Sequence, residues 1–176
     1  MAAPYNTAAI ANWFLDRADQ DGVKLDPMKL QKLIYFAHGW YLSLANQPLI
    51  TEHPQAWNYG PVIPSIYHEF KNFGRGPIAG RAWDLDYSGV TPKTILNAKI
   101  VEPHVDNEPE IQEFLEQIWT VYGSKSAVYL SNLSHVPNGA WDKAYKAAGG
   151  NRNVDIPDSF IKEEFDAKRQ RGAVAE

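Results

Sequence analysis

Histidine is the residue in this sequence best suited to acid–base or metal chemistry, because its imidazole titrates near neutral pH and binds metal ions. The five histidines are His38, His53, His68, His104 and His135. A zinc protease requires two histidines four residues apart on one helix, with a glutamate after the first. Only His68 precedes a glutamate, and no second histidine lies at that spacing. The sequence therefore predicts neither a metal site nor a cofactor.

Two of the histidines are candidate general bases. His38 lies in "YFAHGWY", where apolar neighbours favour a hydrogen-bonded histidine in or near the core over a base. His135 lies in "SHVP", which is more typical of a helix end. Ser124 beside Lys125 resembles a serine activated by a lysine, but a helix cap explains Ser124 better. None of these groups specifies a reaction, so we predict that the protein is not an enzyme.

Phosphate and nucleic-acid chemistry are also disfavoured. The stretch "GRGPIAG" follows no clear strand and lacks the Lys-Ser or Lys-Thr pair of a P-loop. The chain has 17 Lys plus Arg and 21 Asp plus Glu, a net charge of −4 that would repel a phosphate backbone. The basic residues are scattered except at 168–171. We therefore do not expect a nucleic-acid partner.

The location of the protein is also suggested by composition. Cysteine is absent, which fits a reducing cytosol. Asp16, Arg17 and Asp19 interrupt the first twenty residues, which therefore lack the apolar stretch of a signal peptide. No other segment is long and apolar enough to cross a bilayer. We predict a cytoplasmic protein that does not bind a membrane.

One domain must position these side chains, since 176 residues with 44% hydrophobic content suffice for a single core. We predict a compact single domain over residues 1–176, mainly α with a minor β element and about six to seven helices. Apolar spacing, caps and breakers place these helices near residues 6–20, 26–45, 64–72, 107–122, 124–133, 141–148 and 156–171. Asp155 is the expected cap of the last helix, and this helix with its tail, 156–176, could dock loosely.

The helix over 26–45 is predicted to be the centre of the fold. Asp26 and Pro27 form a strong start signal, an N-cap followed by the residue best tolerated at the first helical position. Its sequence, "PMKLQKLIYFAHGWYLSLA", is apolar on most of the circumference. A helix of this kind is usually surrounded by others, so we expect them to pack around it.

The stretch "WNYGPVIPSIYHEFKNFG", residues 57–74, places two prolines shortly before a helical pattern. Because a proline restricts the residue before it to extended geometry, we predict a tight bend over 60–63 and a helix from Pro64. Residues 75–105 are rich in Gly, Pro and Asp and indicate loop, and 94–101 fits either a strand or a short helix.

Several aromatic residues lie in positions flanked by loops, and a small helical core does not need all of them for its packing. Trp57, Tyr59, Tyr67, Trp83 and Tyr87 belong to this group. They could cover the core between helices. Equally, rigid aromatic side chains lose little entropy on binding and are good interface anchors. The sequence thus indicates binding to another protein more than catalysis.

Three blocks carry a resemblance to a known family: "LDPMKLQKLIYFAHGWYLSLANQPLI", "AWNYGPVIPSIYHEFKNFG" and "IWTVYGSKSAVYLSNLSHVPNGAWDKAY". Together they resemble the Panacea, or SocA-like, antitoxin domain family, which includes phage-associated GepA-type proteins. The resemblance covers most of the chain. It identifies the following motif positions, most of which we expect to determine the fold: Leu30, Gln31, Lys32, Leu33, Tyr35, Gly60, Pro61, Val62, Tyr67, His135 and Trp141.

The resemblance implies the antitoxin of a type II toxin–antitoxin system, which neutralises a co-encoded protein toxin by direct binding. SocA-like members imply an alternative, a proteolytic adaptor that delivers its toxin to an ATP-dependent protease. An unrecognised enzyme or a nucleic-acid-binding regulator are weaker alternatives. For toxin binding we expect the anchors to lie around the bend and the third helix, at Trp57, Tyr59, Tyr67 and His68.

Overall fold

Helices form most of the chain, as the apolar spacing predicts. The computed structural model describes residues 3–151 and 153–172. Within these residues the α-helices are α1 (Thr7–Gln20), α2 (Pro27–Ala45), α3 (Pro64–Phe70), α4 (Pro109–Tyr122), α5 (Ala127–Leu133), α6 (Ala140–Ala147) and α7 (Asp158–Gln170). The short strands are β1 (Gln55–Trp57), β2 (Gly60–Val62), β3 (Asp84–Asp86), β4 (Lys99–Val101) and β5 (Val154–Asp155). The predicted mainly helical fold with a minor β component is confirmed. None of the described helices is long and apolar enough to span a membrane.

Helix α2 is the centre of the domain, as its sequence predicts. Its N-cap Asp26 accepts a hydrogen bond from the backbone N–H of Lys29, and Asn46 ends the helix in the left-handed conformation with φ 56°. Every residue from 29 to 40 is buried. Helices α1, α3, α4, α5 and α7 all contact it. The polar residues within this buried run therefore need partners inside the protein.

Helix α7 packs directly against the middle of α2. A Cβ atom at Gly39 would lie only 2.2 Å from Cε2 of Phe165, so the missing side chain at Gly39 leaves room for this ring. Phe165 is fully buried and meets the rings of Tyr35, Phe36 and Trp40 edge-on, at centroid distances of 5.3–6.0 Å. Edge-to-face pairs of this kind stabilise a core by about 0.5–1.5 kcal/mol each beyond burial.

The start of α7 differs from the sequence prediction. The helix begins at Asp158 after Pro157, and Asp155 is not its cap. Instead, Asp155 pairs with Gln55 in the sheet of order β2-β1-β5, and the N–H of Ile156 donates to the carbonyl of Pro54. Strand pairing thus occupies the backbone just before the helix. The predicted tail includes residues 173–176, which lie outside the described residues.

The first hairpin, β1–β2, corrects the predicted bend. The chain turns at Asn58 and Tyr59, because Trp57 is the strand partner of Gly60. Residues 60–62 form strand β2 and are not a bend. Pro61 is tolerated there because β2 is an edge strand of its sheet, where a missing N–H removes no ladder bond on the outer side.

The region between α3 and α4 contains a second hairpin, β3–β4, with Leu85 opposite Ile100. The stretch 94–101, which fitted either a strand or a helix, divides into a 3-10 turn at Ile95–Asn97 and the strand β4. The cap of α5 also differs from expectation. Ser126, and not Ser124, accepts a hydrogen bond from the N–H of Tyr129.

Replacement of Gly39 by alanine tests the α2–α7 contact. In an ordinary helix interior this change stabilises by about 1 kcal/mol. Here we expect it to lower the free energy of unfolding by about 1–3 kcal/mol, because the new methyl group would overlap the Phe165 ring. Urea denaturation measures the change. In a matched control, Phe165→Leu should reduce the additional cost of Gly39→Ala, since the two sites are in contact. A Gly39→Ala variant more stable than the wild type would contradict this packing.

Candidate partner-binding surface

A groove of about 500 Å³ lies between the start of α2, the β1–β2 hairpin and α3. We call it the aromatic groove, and the side chains that matter for its chemistry are Met28, Lys32, Trp57, Tyr59, Tyr67 and Lys71. The elements that form it are distant in sequence, so it exists only in the folded protein. Three of the four predicted anchor residues, Trp57, Tyr59 and Tyr67, line this groove.

Three of the four predicted anchors, Trp57, Tyr67 and His68, form a connected set of rings. Trp57 and Tyr67 meet edge-on at a centroid distance of 4.7 Å, and the next contact, between Tyr67 and His68, is 5.4 Å. Trp57 is half-buried, and its indole N–H donates to Gln55. Tyr59 lies at the hairpin turn and is 84% exposed. His68 is exposed beside Tyr67 but does not line the groove. The structure thus brings these residues together, and their role in binding stays a prediction.

Two adjacent motif residues of α2 hold the hairpin in place. The side-chain amide of Gln31 donates to the carbonyl of Ile63 at 3.1 Å and accepts from its N–H at 2.7 Å. Nζ of Lys32 donates to the carbonyl of Pro61 at 3.0 Å. We call these three bonds the Gln31–Lys32 clamp. It provides partners for the N–H of Ile63, just after β2, and for the carbonyl of Pro61 within β2, while the carbonyl of Ile63 also accepts from the N–H of Tyr67. The motif in α2 and the Gly-Pro-Val motif are therefore two halves of one contact.

Two further motif residues, His135 and Trp141, complete this contact from the other side. A Cβ atom at Gly60, where φ is +108°, would lie 2.8 Å from both Lys32 Nζ and His135 Cε1. Only glycine fits this position, for steric and conformational reasons. The His135 ring lies 4.5 Å from the Trp141 ring, and the Trp141 indole donates to the carbonyl of Trp57 at 2.7 Å. Motif residues from three parts of the chain thus converge on one hairpin.

The remaining motif residues lie in the core. Leu30, Leu33 and Tyr35 are fully buried, and the Tyr35 hydroxyl has no hydrogen-bond partner among the described residues. Burial raises the pKa of this hydroxyl well above its ordinary value. The expectation that most motif positions determine the fold stays a prediction, and the burial of these three residues is the observation that favours it.

Lys32 is the unusual charged group of this region. Its side chain is 2% exposed at the base of the groove. Burial lowers the pKa of its amine from the ordinary 10.5 to about 7. The group is therefore poised between its charged and neutral forms near neutral pH. A buried amine of this kind responds strongly to any anion that approaches it.

The two candidate bases are both held in structural hydrogen bonds. His38 is fully buried: its Nδ1 accepts from the N–H of Leu49, so its Nε2 carries the hydrogen that is donated to Asp158. His135 donates from Nδ1 to the carbonyl of Ser131 at 2.6 Å. The packed histidine that the sequence favoured at position 38 agrees with this geometry. In residues 3–151 and 153–172, no three His, Asp or Glu side chains could together hold a metal ion.

A second apolar surface lies on the β3–β4 hairpin. Trp83, Leu85 and Tyr87 alternate along one side, and Ile100 lies opposite Leu85. All four are exposed, by 45–72%. We call this set the outer hairpin face. Of these residues, Trp83 and Tyr87 were predicted from the sequence as loop-flanked aromatics, and Leu85 and Ile100 were not. The alternation in "WDLDY" was the available signal, but it was read as loop.

Comparisons with known proteins agree with the resemblance noted in the sequence. The family model described as "Antitoxin SocA-like, Panacea domain" matches residues 30–142. The protein "Antitoxin SocA" of Caulobacter vibrioides (strain NA1000 / CB15N) is 33% identical over 159 residues, which cover 89% of this chain and 80% of that protein. No solved structure matches the chain.

The pKa of Lys32 predicts a specific pH dependence of stability. Between pH 7 and 10.5 the unfolded chain binds more protons at this residue than the folded protein does. The contribution of Lys32 to the free energy of unfolding therefore increases as the pH rises through this range. Lys32→Met keeps the apolar stem and cannot titrate. We expect the stability of the wild type, minus that of Lys32→Met, to increase by on the order of 2 kcal/mol from pH 6 to 9.5.

Urea denaturation at each pH measures this difference. Lys71→Met, at the exposed rim of the same groove, is the matched control. A difference between wild type and Lys32→Met that stays constant with pH would contradict the buried amine.

Proposed function

This chain belongs to the family of SocA-like antitoxins with the Panacea domain, and we propose that it neutralises a co-encoded protein toxin by binding it directly, as part of a type II toxin–antitoxin system. The family supports an antitoxin role and, in general, a toxin partner. Direct binding is the mechanism that suits the geometry best. On this proposal the protein acts through a shaped surface and does not catalyse a reaction.

The aromatic groove is the observation that supports direct binding most strongly. Stable protein interfaces bury about 1,600 Å² in total and depend on a few aromatic or arginine anchors in well-packed pockets. Trp57, Tyr59 and Tyr67 are aromatic residues of this type that line one groove. A toxin bound here would be neutralised because this protein covers the toxin's active site or holds the toxin in an inactive form.

The rigidity of the hairpin also favours binding. The Gln31–Lys32 clamp holds the backbone of β2, and Trp141 bonds to the backbone of β1 at Trp57. The rings of the groove are therefore positioned before a partner arrives. Pre-organisation of this kind reduces the entropy that binding must remove and so increases affinity.

A proteolytic adaptor is the second candidate function, and the outer hairpin face favours it. An adaptor must contact its toxin and an ATP-dependent protease at the same time, whereas an occluding antitoxin requires one surface. The outer hairpin face shares no residue with the aromatic groove. Its exposed apolar side chains are suited to a second protein contact.

Growth rescue tests the proposed function. The protein is co-expressed with the product of the adjacent gene, and growth of the host cells is measured. We expect rescue by the wild type and loss of rescue when Trp57, Tyr59, Tyr67 and His68 are all changed to alanine. Tyr59→Ala alone should weaken toxin binding about 30-fold or more, since a central aromatic anchor contributes about 2 kcal/mol or more.

Two controls make the growth assay decisive. Tyr59 is so exposed that its replacement should not unfold the protein, which circular dichroism verifies. Tyr87→Ala on the outer hairpin face is the matched aromatic control and should leave toxin affinity unchanged. Full rescue of growth by the four-alanine variant would show that these four residues are not the anchors. Failure to rescue growth in the presence of any neighbouring gene product would contradict the proposed function.

Toxin half-life separates the adaptor from simple occlusion. On the adaptor hypothesis, the half-life of the toxin in cells falls when the protein is present. Leu85→Lys with Ile100→Lys should then lengthen the half-life while toxin affinity stays unchanged, because these residues lie outside the aromatic groove. A half-life that is the same with and without the protein would rule out the adaptor and leave a stable stoichiometric complex.

A further inference from the structure

The charges of the aromatic groove differ from those of the rest of the protein. The chain as a whole carries a net charge of −4. The groove nevertheless contains Lys32 at its base and Lys71 at its rim, and none of the described side chains that line it is acidic. The groove is therefore a local site of positive charge on an acidic protein, and such a site attracts anions.

Among the described residues neither groove lysine makes an ion pair, which is also true of Lys29, Lys93, Lys99 and Lys125. Five other lysines contact a carboxylate within 3.3 Å, and these are Lys24, Lys143, Lys146, Lys162 and Lys168. The recorded hydrogen-bond acceptor of Lys32 is a carbonyl, that of Pro61. An ammonium has three N–H donors and is stabilised most by a charged acceptor. A carboxylate from outside would supply one.

The walls of the groove restrict the occupant further. Met28 is 44% exposed, and the rings of Trp57 and Tyr67 form the adjacent wall. These side chains favour an apolar group close to the anion. A free phosphate has no such group beside its charge, and a nucleic acid is disfavoured by the net charge of −4. A protein segment with an acidic residue next to an apolar one has both groups.

We propose that the aromatic groove binds an extended segment of the partner toxin in which an Asp or Glu lies next to an aromatic or aliphatic residue. The carboxylate lies at Lys71 and close to Lys32, and the apolar side chain packs against Trp57 and Tyr67. This inference rests on the proposed function and specifies the chemistry of the toxin surface. A carboxylate at this position would favour the charged form of the Lys32 amine.

The test uses the purified chain with three small peptide probes and follows the indole signal of Trp57 by NMR. N-acetyl-Asp-Phe-amide carries the proposed pair of groups. N-acetyl-Asn-Phe-amide has the same shape without the charge, and N-acetyl-Phe carries a terminal carboxylate. We expect the Asp peptide to bind at least about 5-fold more tightly than the Asn peptide at low salt, and this preference should decrease as salt is added.

Variants of the protein assign the preference to the groove lysines. Lys71→Gln should reduce the Asp-over-Asn preference, and Lys32→Met should reduce it further. Lys93→Gln, an exposed lysine that does not line the groove, is the matched control and should leave the preference intact. Lys71 is itself exposed, so its replacement tests the inference even if Lys32→Met destabilises the fold.

Each outcome either supports or overturns the inference. Equal binding of the Asp and Asn peptides, or a preference that survives Lys71→Gln and Lys32→Met, overturns it. Tighter binding of N-acetyl-Phe than of the Asp peptide overturns the assignment to an internal acidic residue. If the peptide binds as expected but the protein does not rescue growth, the proposed chemistry of the groove is supported and the proposed antitoxin function is contradicted. The two failures are therefore distinguishable.

Discussion

The contact between the start of α2 and strand β2 is the constraint on which the rest of the molecule depends. Gln31 exchanges two hydrogen bonds with the backbone of Ile63, and Lys32 donates to Pro61. These bonds place a short edge strand, which could not be stable alone, against the central helix. They also fix the direction in which the hairpin presents Trp57 and Tyr59. Three buried hydrogen bonds therefore connect the core to the aromatic groove.

Local sequence signals predicted the helical part of the fold well. The Asp26-Pro27 start and the apolar circumference of α2 identified its bounds and its central position, because caps and burial patterns act over a few residues. Strand pairing depends on distant partners, which explains the errors. The turn at 58–59 requires pairing of β1 with β2, and the late start of α7 requires pairing of Asp155 with Gln55. Neither pairing can be read from the residues nearby.

The aromatic residues of the candidate site could be predicted from the sequence, but the electrostatics of the site could not. Proline-stiffened aromatic residues indicated the groove, and three of them line it. The burial of Lys32 and its proximity to His135 depend on Gly60, from another part of the chain. Seen only as sequence, Lys32 is an ordinary charged residue of a helix. The aliphatic residues of the outer hairpin face were also missed, because their exposure depends on which side of the hairpin faces the domain.

The claim that the Gln31–Lys32 clamp positions the proposed toxin-binding surface is tested most directly by the affinity of the proposed co-encoded toxin for Gln31→Leu, measured by calorimetry with wild type as reference. The substitution keeps the apolar stem but leaves the buried N–H of Ile63 without its partner. The carbonyl of Ile63 loses one of its two donors and keeps the N–H of Tyr67. The account predicts binding at least about 10-fold weaker from a protein that is still folded at the assay temperature. Unchanged affinity from the folded variant would contradict it.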